Sequence, residues 1–274
     1  MILVTGATGT IGSVLVRTLL ARGEEVVAMT RDPAKIEGRP GLTAAREIGK
    51  VDAIFLLAPA GPDIPASDRA MLRAARAAGI PRVVKLSAIG TPDSGTRSAE
   101  PGDPTTRTAS WHLPGELAVR DSGLAWTILR PTSFASNTYA WAADIRAGRP
   151  IPNLFGDGKQ GVVDPVDVAA VAAEALLGTG HDGQTYTLTG PDLLSVPDQA
   201  AQLAEVLGTE VLTIDVPIEQ VRAAFPPALA DVAVAGAALV RRGGNAIVTG
   251  DVARVLGRAP GTFRAWAEAN RTRF

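Results

Sequence analysis

The chain has 274 residues, of which 46% are hydrophobic and 20% are charged, and its net charge at pH 7 is −1. This length and apolar content predict one large domain, or a domain with a smaller lobe, around a substantial core. The near-zero charge gives no reason to expect nucleic acid or an anionic membrane as a partner. The chain has no cysteine, which excludes disulfides and thiolate metal sites, and His112 and His181 show no metal-ligand spacing.

The first apolar strand begins next to residue 1, which leaves no room for a signal peptide. The longest apolar stretch, residues 232–240, is too short to span a bilayer. We therefore expect a cytoplasmic protein, either a monomer or a homodimer, that acts on a small molecule.

The first predicted elements are an apolar strand over residues 2–4 and a helix that ends before Gly23. Between them lie Gly6, Gly9 and Gly12, at the spacing G-x-x-G-x-x-G. Glycines at such a turn let the backbone approach a pyrophosphate, whose charge is met by the N–H groups and dipole of the helix N-terminus. The alternative is an ordinary strand–helix turn that binds nothing, but strand, turn and helix in this order favour a dinucleotide.

Strands and helices then alternate along the first two thirds of the chain. This alternation predicts right-handed crossovers and a doubly wound parallel sheet in the order 3-2-1-4-5-6, covered by helices on both faces. Residues 31–50 contain no apolar run suitable for a strand, so we expect a proper third strand to be missing. The further strands are predicted at 25–29, 51–58, 82–87, 126–130 and 185–189, and the helices at 67–78, 114–122 and 165–177, the last with Asp164 as N-cap.

The pattern changes at residue 196 to helices with one intervening strand at 211–216, which predicts a smaller, mainly helical C-terminal lobe. We expect residues 1–150, completed by 160–190, to form the dinucleotide-binding core. The smaller substrate-binding lobe would then comprise residues 191–274 together with 131–160, with the substrate cleft between the two parts.

Four segments occur in a specific order: TGATGTIG at the start, LRP at 129–131, then VVDPVDVAAV and LGRAPGTFRAW. In these segments the chain resembles the NmrA-like atypical short-chain dehydrogenases/reductases over nearly its whole length. The resemblance implies a Rossmann-type α/β core and points toward bacterial NAD(P)H-dependent reductases, of the quinone-oxidoreductase or natural-product ketoreductase kind. The family also contains non-catalytic, NAD(P)-sensing regulatory proteins, which are the alternative, although a compact chain without a basic patch favours the enzyme.

The end of the second strand bears on the choice of cofactor. An acidic residue there would bind a ribose 2′-hydroxyl and indicate NAD, whereas an arginine accommodates the 2′-phosphate of NADP. Asp32 precedes Pro33 and has a plain role in starting a turn, so Arg31 favours NADP, with NAD less expected. The predicted cofactor contacts are Gly6, Thr8, Gly9, Thr10, Ile11, Gly12, Arg31, Ala58, Pro59, Ser87, Pro131, Thr132 and Ser133.

The Tyr-x-x-x-Lys pair of the wider superfamily is missing, because Ala143 and Gly190 stand four residues after the two tyrosines. The corresponding place reads HLPGE, in which His112 lies near the predicted start of a helix and can donate a proton or merely cap that helix. We expect Glu116 to have a structural role, in which its negative charge stabilises the helix N-terminus. Ser87 is expected either to hydrogen-bond the substrate carbonyl or to satisfy the end of its strand. Without a tyrosine donor, the acceptor is expected to be a quinone, a conjugated carbonyl or a polyketide-like aromatic ketone.

Two further segments concern the substrate. Residues 91–110 are polar and show no periodicity, which is typical of a lid or of a disordered segment. Aromatic residues are sparse but crowd into the segment that follows, and they suit a planar substrate or, alternatively, a small local core. The predicted substrate contacts are Trp111, Phe134, Asn137, Trp141 and Phe155.

Overall fold

A seven-stranded parallel sheet forms the centre of the molecule in the computed structural model. The structure describes residues 1–30, 32–58, 61–91 and 104–274, without the side chains of Lys35, residues 104–110 and Ala228. The strand order is β3-β2-β1-β4-β5-β6-β9, so the predicted order is confirmed and extended by one strand. These strands are β1 (Ile2–Thr5), β2 (Val26–Met29), β3 (Leu42–Ala45), β4 (Ala53–Leu56), β5 (Arg82–Leu86), β6 (Ala125–Pro131) and β9 (Gln184–Leu188).

The expectation that the third strand is missing was wrong. β3 pairs in parallel with β2 over its whole length, from Val26–Leu42 to Met29–Ala45. It forms an edge of the sheet and is only partly buried, so it needs no continuous apolar run. Its sequence, LTAA, is therefore too short and too weakly apolar to stand out as a strand.

Helices cover both faces of the sheet. On one face, α1 (Thr10–Ala21) and α5 (Pro165–Leu177) pack together over the apolar core. On the other, α2 (Ile64–Ala77) and α3 (Pro104–Arg120) pack together over residues such as Ile54 and Val83. This doubly wound arrangement places the carboxyl ends of the strands along one edge, where open α/β sheets bind ligands.

α3 begins ten residues earlier than the sequence predicts. Pro114 lies inside the helix rather than in its first turn, and His112 is an interior residue rather than a cap. The polar residues before Trp111 hide this extension, since their composition suggests a loop. The predicted structureless segment 91–110 is therefore wrong over residues 104–110, which are helical; residues 92–103 lie outside the described part of the chain.

Among the remaining elements, one helix–strand group packs around a separate apolar cluster that includes Ile151, Leu203 and Trp266. Two small sheets contribute, one with parallel strands β7 and β11 and one with antiparallel strands β8 and β10. The helix α8 (Pro227–Arg241) instead packs against α3, and α9 (Asp251–Leu256) packs back onto α5. The bounds are α4 (Ala142–Arg146), β7 (Ile151–Asn153), β8 (Gln160–Gly161), β10 (Leu193–Leu194), α6 (Val196–Leu207), β11 (Thr213–Asp215), α7 (Ile218–Val221), α8 (Pro227–Arg241), α9 (Asp251–Leu256) and α10 (Phe263–Ala269). Short 3₁₀ turns occupy Pro33–Lys35, Ala135–Trp141, Arg222–Ala224 and Arg271–Arg273.

Over the described residues, none of the helices combines the length and the apolar character needed to cross a membrane.

Candidate active site

The glycine turn after β1 is shaped by close contacts that exclude side chains. Gly6 adopts a positive φ of +63°, which strongly favours glycine. A Cβ on Gly12 would lie 2.1 Å from the Gly6 carbonyl oxygen, so α1 can approach the turn only without a side chain there. Gly9 precedes α1 without a side-chain cap, and the first turn of the helix contains no acidic residue. The open helix N-terminus therefore fits an anionic group such as a pyrophosphate.

Thr5 joins the ends of two neighbouring strands at this edge of the sheet. Its hydroxyl accepts from the Leu57 N–H at 2.7 Å and lies within donating distance of the Leu57 carbonyl at 2.9 Å. The segment after β4, including the buried Ala58, is thereby held beside the glycine turn. The predicted contacts Arg31 and Pro59 lie outside the described residues.

The segment after β6 lies at the same edge. Pro131 pairs with Leu188, and its carbonyl accepts from the Ile89 N–H at 3.0 Å. The Thr132 hydroxyl donates to the Gly161 carbonyl, which anchors the segment before Ser133. The three predicted contacts, 131–133, are therefore brought to the edge that carries the glycine turn.

A buried acid–base cluster lies under this edge, where β5 and β6 meet α3. The Ser87 hydroxyl donates to Glu116 Oε1 at 2.5 Å. Arg130 holds the same carboxylate with two bonds, Nε to Oε1 at 3.0 Å and Nη2 to Oε2 at 2.7 Å. Glu116 is only 1% exposed, so the expectation of a structural role fits, but its partner is a guanidinium rather than the helix N-terminus. Because Ser87 already donates its one proton, it can only accept a hydrogen bond from a ligand in this state.

A second buried ion pair lies beside the first. Lys85 Nζ is 2.6 Å from Asp68 Oδ2, and the two side chains are 1% and 0% exposed. A Cβ on Gly115 would lie 2.2 Å from Asp68 Oδ2 and 3.1 Å from Lys85 Cε, so the pair presses directly against the backbone of α3. Burial raises the pKa of Asp68, while the neighbouring Lys85 opposes that rise.

His112 lies on the same helix, and its ring is uncharged near neutral pH. Its Nδ1 is buried and has no hydrogen-bond partner among the described residues. Burial, followed by the positive charge of Lys85, lowers the pKa of His112 from 6.5 to about 4. An imidazole in this state can donate one N–H hydrogen bond, but it holds no imidazolium proton to transfer.

Both tyrosine hydroxyls are engaged away from this cluster. Tyr139 donates to Asn270 Oδ1 at 2.6 Å, and its ring packs 5.2 Å from that of Trp266. The Tyr186 hydroxyl lies 2.9 Å from His181 Nδ1, and Tyr186 is buried.

The predicted substrate contacts are distributed over two cores. Phe134 packs against the sheet core, while Trp141 and Phe155 pack against the apolar cluster of the smaller elements. Asn137 is exposed and donates to the Ser133 hydroxyl at 3.2 Å, a local bond that matches its alternative role in a turn. Trp111 is half-buried, one residue before His112. Contact of these residues with a substrate remains a prediction.

Two of the four sequence segments that carry the family resemblance, VVDPVDVAAV and LGRAPGTFRAW, meet in space through Asp167. Its carboxylate accepts from the Gly261 N–H at 2.6 Å and from Arg258 at 2.7 Å. Asp164 accepts from the Val166 N–H at 2.8 Å, so it is the predicted N-cap of α5. Both aspartates therefore have structural roles.

Sequence reasoning missed Asp68, Lys85 and Arg130. The available signals were a lysine within the apolar strand RVVKL and an arginine within AWTILRP, each in a strand otherwise read as buried. Charged side chains in such positions are almost always paired.

The fold and the glycine turn together define a dinucleotide-binding protein of the Rossmann type. Residues 6–178 match the NAD(P)H-binding family, and the chain belongs to it. The (4-alkanoyl-5-oxo-2,5-dihydrofuran-3-yl)methyl phosphate reductase of Streptomyces griseus is 38% identical, over 97% of this chain and 96% of that relative. The NAD(P)H azoreductase of Xenophilus azovorans is 34% identical, over 100% of this chain and 99% of that relative.

Solved structures show the same fold. An NADPH-dependent quinone oxidoreductase from Escherichia coli, in complex with NADPH, has a TM-score of 0.81 at 24% identity, covering 98% of this chain and 99% of that one. The Citrobacter sp. triphenylmethane reductase, in complex with NADP(H), has a TM-score of 0.79 at 21% identity, covering 98% and 100%. The predicted Rossmann-type architecture is confirmed, and the chain is an NAD(P)H-dependent oxidoreductase.

Proposed function

We propose that this reductase delivers hydride to a conjugated, electron-poor acceptor and needs no Tyr-x-x-x-Lys pair to do so. The observation that carries the proposal is the setting of His112, which stands where a proton donor is expected but whose Nδ1 is buried without a hydrogen-bond partner among the described residues, and burial lowers its pKa to about 4. The hydroxyls of Tyr139 and Tyr186 have other partners. An acceptor that stabilises its own developing negative charge fits a site of this kind.

The chain's own residues would hold the cofactor at the carboxyl edge of the sheet. The N-terminus of α1, with Thr8 to Gly12, would bind the pyrophosphate, and Ala58 and the segment 131–133 would border the nicotinamide half. When bound, the nicotinamide supplies a hydride from its C4 carbon to an electron-poor carbon of the acceptor.

We further propose NADP(H) as the preferred form. A cavity of about 280 Å³ lies beside α1 and is lined by Thr8, Arg17, Glu37 and Arg39, among others. Arg39 pairs with Glu37 at 3.5 Å, and Arg17 supplies the further positive charge that suits a phosphate-bearing adenosine. Arg31, two residues after β2 in the sequence, remains the predicted partner of the 2′-phosphate.

The relatives indicate which acceptors to try first. The name of the Streptomyces relative's substrate describes a ring alkene conjugated to two carbonyls, an alkanoyl group and a ring oxo group. Hydride addition to the far alkene carbon would break the C=C π bond and move its electron pair onto the carbonyl oxygens. The resulting enolate is spread over both carbonyls and takes its proton on carbon from water. We propose that an alkene, quinone or ketone with this kind of activation is the substrate class of this chain.

The test is a panel of acceptors, with NADPH consumption and product identity as readouts. The panel contains a butenolide with two activating carbonyls, a quinone, an azo dye, a conjugated aromatic ketone and an unactivated ketone. We expect turnover of activated members only, with deuterium from C4-labelled NADPH retained on carbon in the reduced butenolide and the reduced aromatic ketone. In the quinone and azo products, deuterium on oxygen or nitrogen exchanges with water, so NADPH consumption and product identity are the readouts. Equal turnover of the unactivated ketone would contradict the proposal. Tight NADPH binding without turnover of any activated member would favour the NAD(P)-sensing alternative.

A further inference from the structure

The Lys85–Asp68 pair lies against the face of α3 that carries His112. Gly115, three residues after His112, is the point of contact, because no Cβ fits between its backbone and the pair. Residues three apart in a helix lie on the same face, so His112 projects from the side of α3 that meets the ion pair. The His112 Nδ1 atom is buried there without a hydrogen-bond partner among the described residues.

We propose that Lys85, anchored by Asp68, is a positioning residue that acts together with burial to keep the His112 ring uncharged, so that His112 serves the acceptor as a neutral hydrogen-bond donor. A protonated ring would be repelled by the nearby Lys85 ammonium and would lose hydration on burial, while the Asp68 carboxylate is already bound to Lys85. The neutral ring keeps one N–H, which can stabilise the oxygen on which negative charge develops. This inference rests on the proposed hydride transfer for its chemical role, but the state of the ring can be measured without turnover.

The other charged groups around this cluster do not reverse the argument. From α2, Asp68 faces Lys85, and Arg69 adds a second positive charge near that carboxylate. From α3 itself and from β6, Glu116 is bound to Arg130 and also lies 3.6 Å from Arg120. The helix α8 packs against α3; its Asp231 pairs with Arg222, and its Arg241 binds the carbonyls of Leu154 and Val216.

If the ion pair only stabilised the fold, its removal would not change the pKa of the His112 ring. Replacing a buried pair by apolar residues of similar size is often neutral for stability, so the pair can be removed without leaving one charge unpaired. The double variant Lys85→Met, Asp68→Leu is therefore the informative change, and thermal unfolding checks that it folds. Lys159→Met is the matched control, because Lys159 pairs with Asp198 on the surface of another helix, α6.

The state of the ring is measured by NMR on full-length protein labelled with ¹⁵N-histidine. The chain has only two histidines, and a His181→Gln variant assigns the signals. We expect the native His112 signals to remain those of a neutral ring between about pH 5 and about pH 8. In the double variant the His112 pKa should rise but stay below the ordinary histidine value, because the ring remains buried, whereas Lys159→Met should not move it. A native ring that becomes charged within this range, or an unchanged pKa in the double variant, would overturn the proposal.

The donor role is tested by kcat/KM with an acceptor that the native enzyme reduces. His112→Gln retains a neutral N–H donor, and we expect it to stay within about tenfold of the native value. His112→Leu lacks a donor and should lose about 10²–10³-fold, the usual effect of removing one such hydrogen bond. Equal losses in both variants would refute the donor role. If no acceptor is turned over, the proposed function fails while the NMR titration still decides the role of Lys85.

Discussion

Ser87 donates its hydroxyl proton to Glu116 across 2.5 Å, in a buried position at the end of β5. This relationship changes how Ser87 can act at the site. A serine hydroxyl has one proton, so a ligand at Ser87 meets only acceptor lone pairs. The predicted hydrogen bond from Ser87 to a substrate carbonyl is incompatible with the Ser87–Glu116 bond. A carbonyl oxygen can only accept a hydrogen bond, and Ser87 has no second proton to donate. A donor group, such as a ribose hydroxyl or a carboxamide N–H, fits Ser87 better.

The first prediction compares the two partners in this bond. Glu116→Gln leaves the Arg130 guanidinium buried without its carboxylate, and we expect it to lower the free energy of unfolding by about 3–5 kcal/mol. Ser87→Ala removes one hydrogen bond to a charged group and should cost about 1.5–3 kcal/mol. Urea unfolding measures both values. If Glu116→Gln costs no more than Ser87→Ala, the carboxylate does not hold Arg130 as the structure shows.

The second prediction compares glycine-to-alanine substitutions in α1 and α8, which we expect to have opposite effects on stability. A Cβ on Gly12 would clash with the Gly6 carbonyl, whereas a Cβ on Gly236 meets nothing within 4 Å. We expect Gly12→Ala to weaken cofactor binding and to lower the melting temperature, because the turn must move. Gly236→Ala should raise stability by about 0.5–1 kcal/mol through the better helix propensity of alanine, with unchanged cofactor affinity. Calorimetry and NADPH titration measure the two properties. Equal cofactor affinity in both variants would contradict the role given to Gly12.

Much of the fold could be predicted from the sequence because most strands of the sheet are buried on both faces and so are continuously apolar. β3 could not be predicted, because an edge strand pairs with one neighbour only and is half exposed. Its sequence, LTAA, therefore shows almost no hydrophobic pattern. The start of α3 was also missed. Its first turns are polar, and Pro114 suggested a helix start where the structure has a helix interior.

The sequence predicts the part of the site whose chemistry depends on local backbone shape. It does not predict the part that depends on ion pairs between residues distant in sequence. The glycine spacing of the first turn predicts its geometry, because Gly6 and Gly12 lie in one local motif. Asp68 and Lys85 are 17 residues apart on a helix and a strand, and only the fold brings them within 2.6 Å. Similarly, nothing in the HLPGE segment alone indicates that Lys85 and Asp68 pack against the backbone of Gly115.

A third prediction concerns the two aspartates of α5. Asp167→Ala leaves the Gly261 N–H without its acceptor and removes the bond to Arg258, so we expect it to lower the free energy of unfolding by about 1–3 kcal/mol. Asp164→Ala removes the cap of the exposed helix end and should cost about 1 kcal/mol. Denaturant unfolding of both variants checks the order. A larger loss for Asp164→Ala would contradict the view that Asp167 ties the C-terminal segment to the core.

The lowered pKa of His112 implies a fourth prediction, on stability against pH. The folded protein binds the His112 proton less readily than the unfolded chain does, with pKa values of about 4 and 6.5. The unfolded state therefore takes up more protons as the pH falls, and stability that is present above 6.5 is lost progressively down to about 4. We expect His112→Leu to flatten this part of the pH dependence by up to about 3 kcal/mol. Parallel curves for the native protein and the variant, from denaturant unfolding at several pH values, would show that the ring is not held neutral.

The last prediction tests the choice between NADPH and NADH. Arg31 lies outside the described residues, and its assignment rests on its position after β2, where an arginine accommodates a 2′-phosphate. Removing a charge-assisted contact costs about 1.5–3 kcal/mol, so Arg31→Ala should weaken NADPH binding roughly 10–150-fold. NADH lacks the phosphate and should bind almost as it does to the native protein. Arg22→Ala is the matched control, since Arg22 pairs with Glu174 at the opposite end of α1 and should affect neither cofactor. Fluorescence titration of both cofactors gives the dissociation constants. An equal loss for NADPH and NADH would move the 2′-phosphate away from Arg31 and leave the cavity beside Arg17 as its next candidate, and a native preference for NADH would contradict the choice of NADP(H).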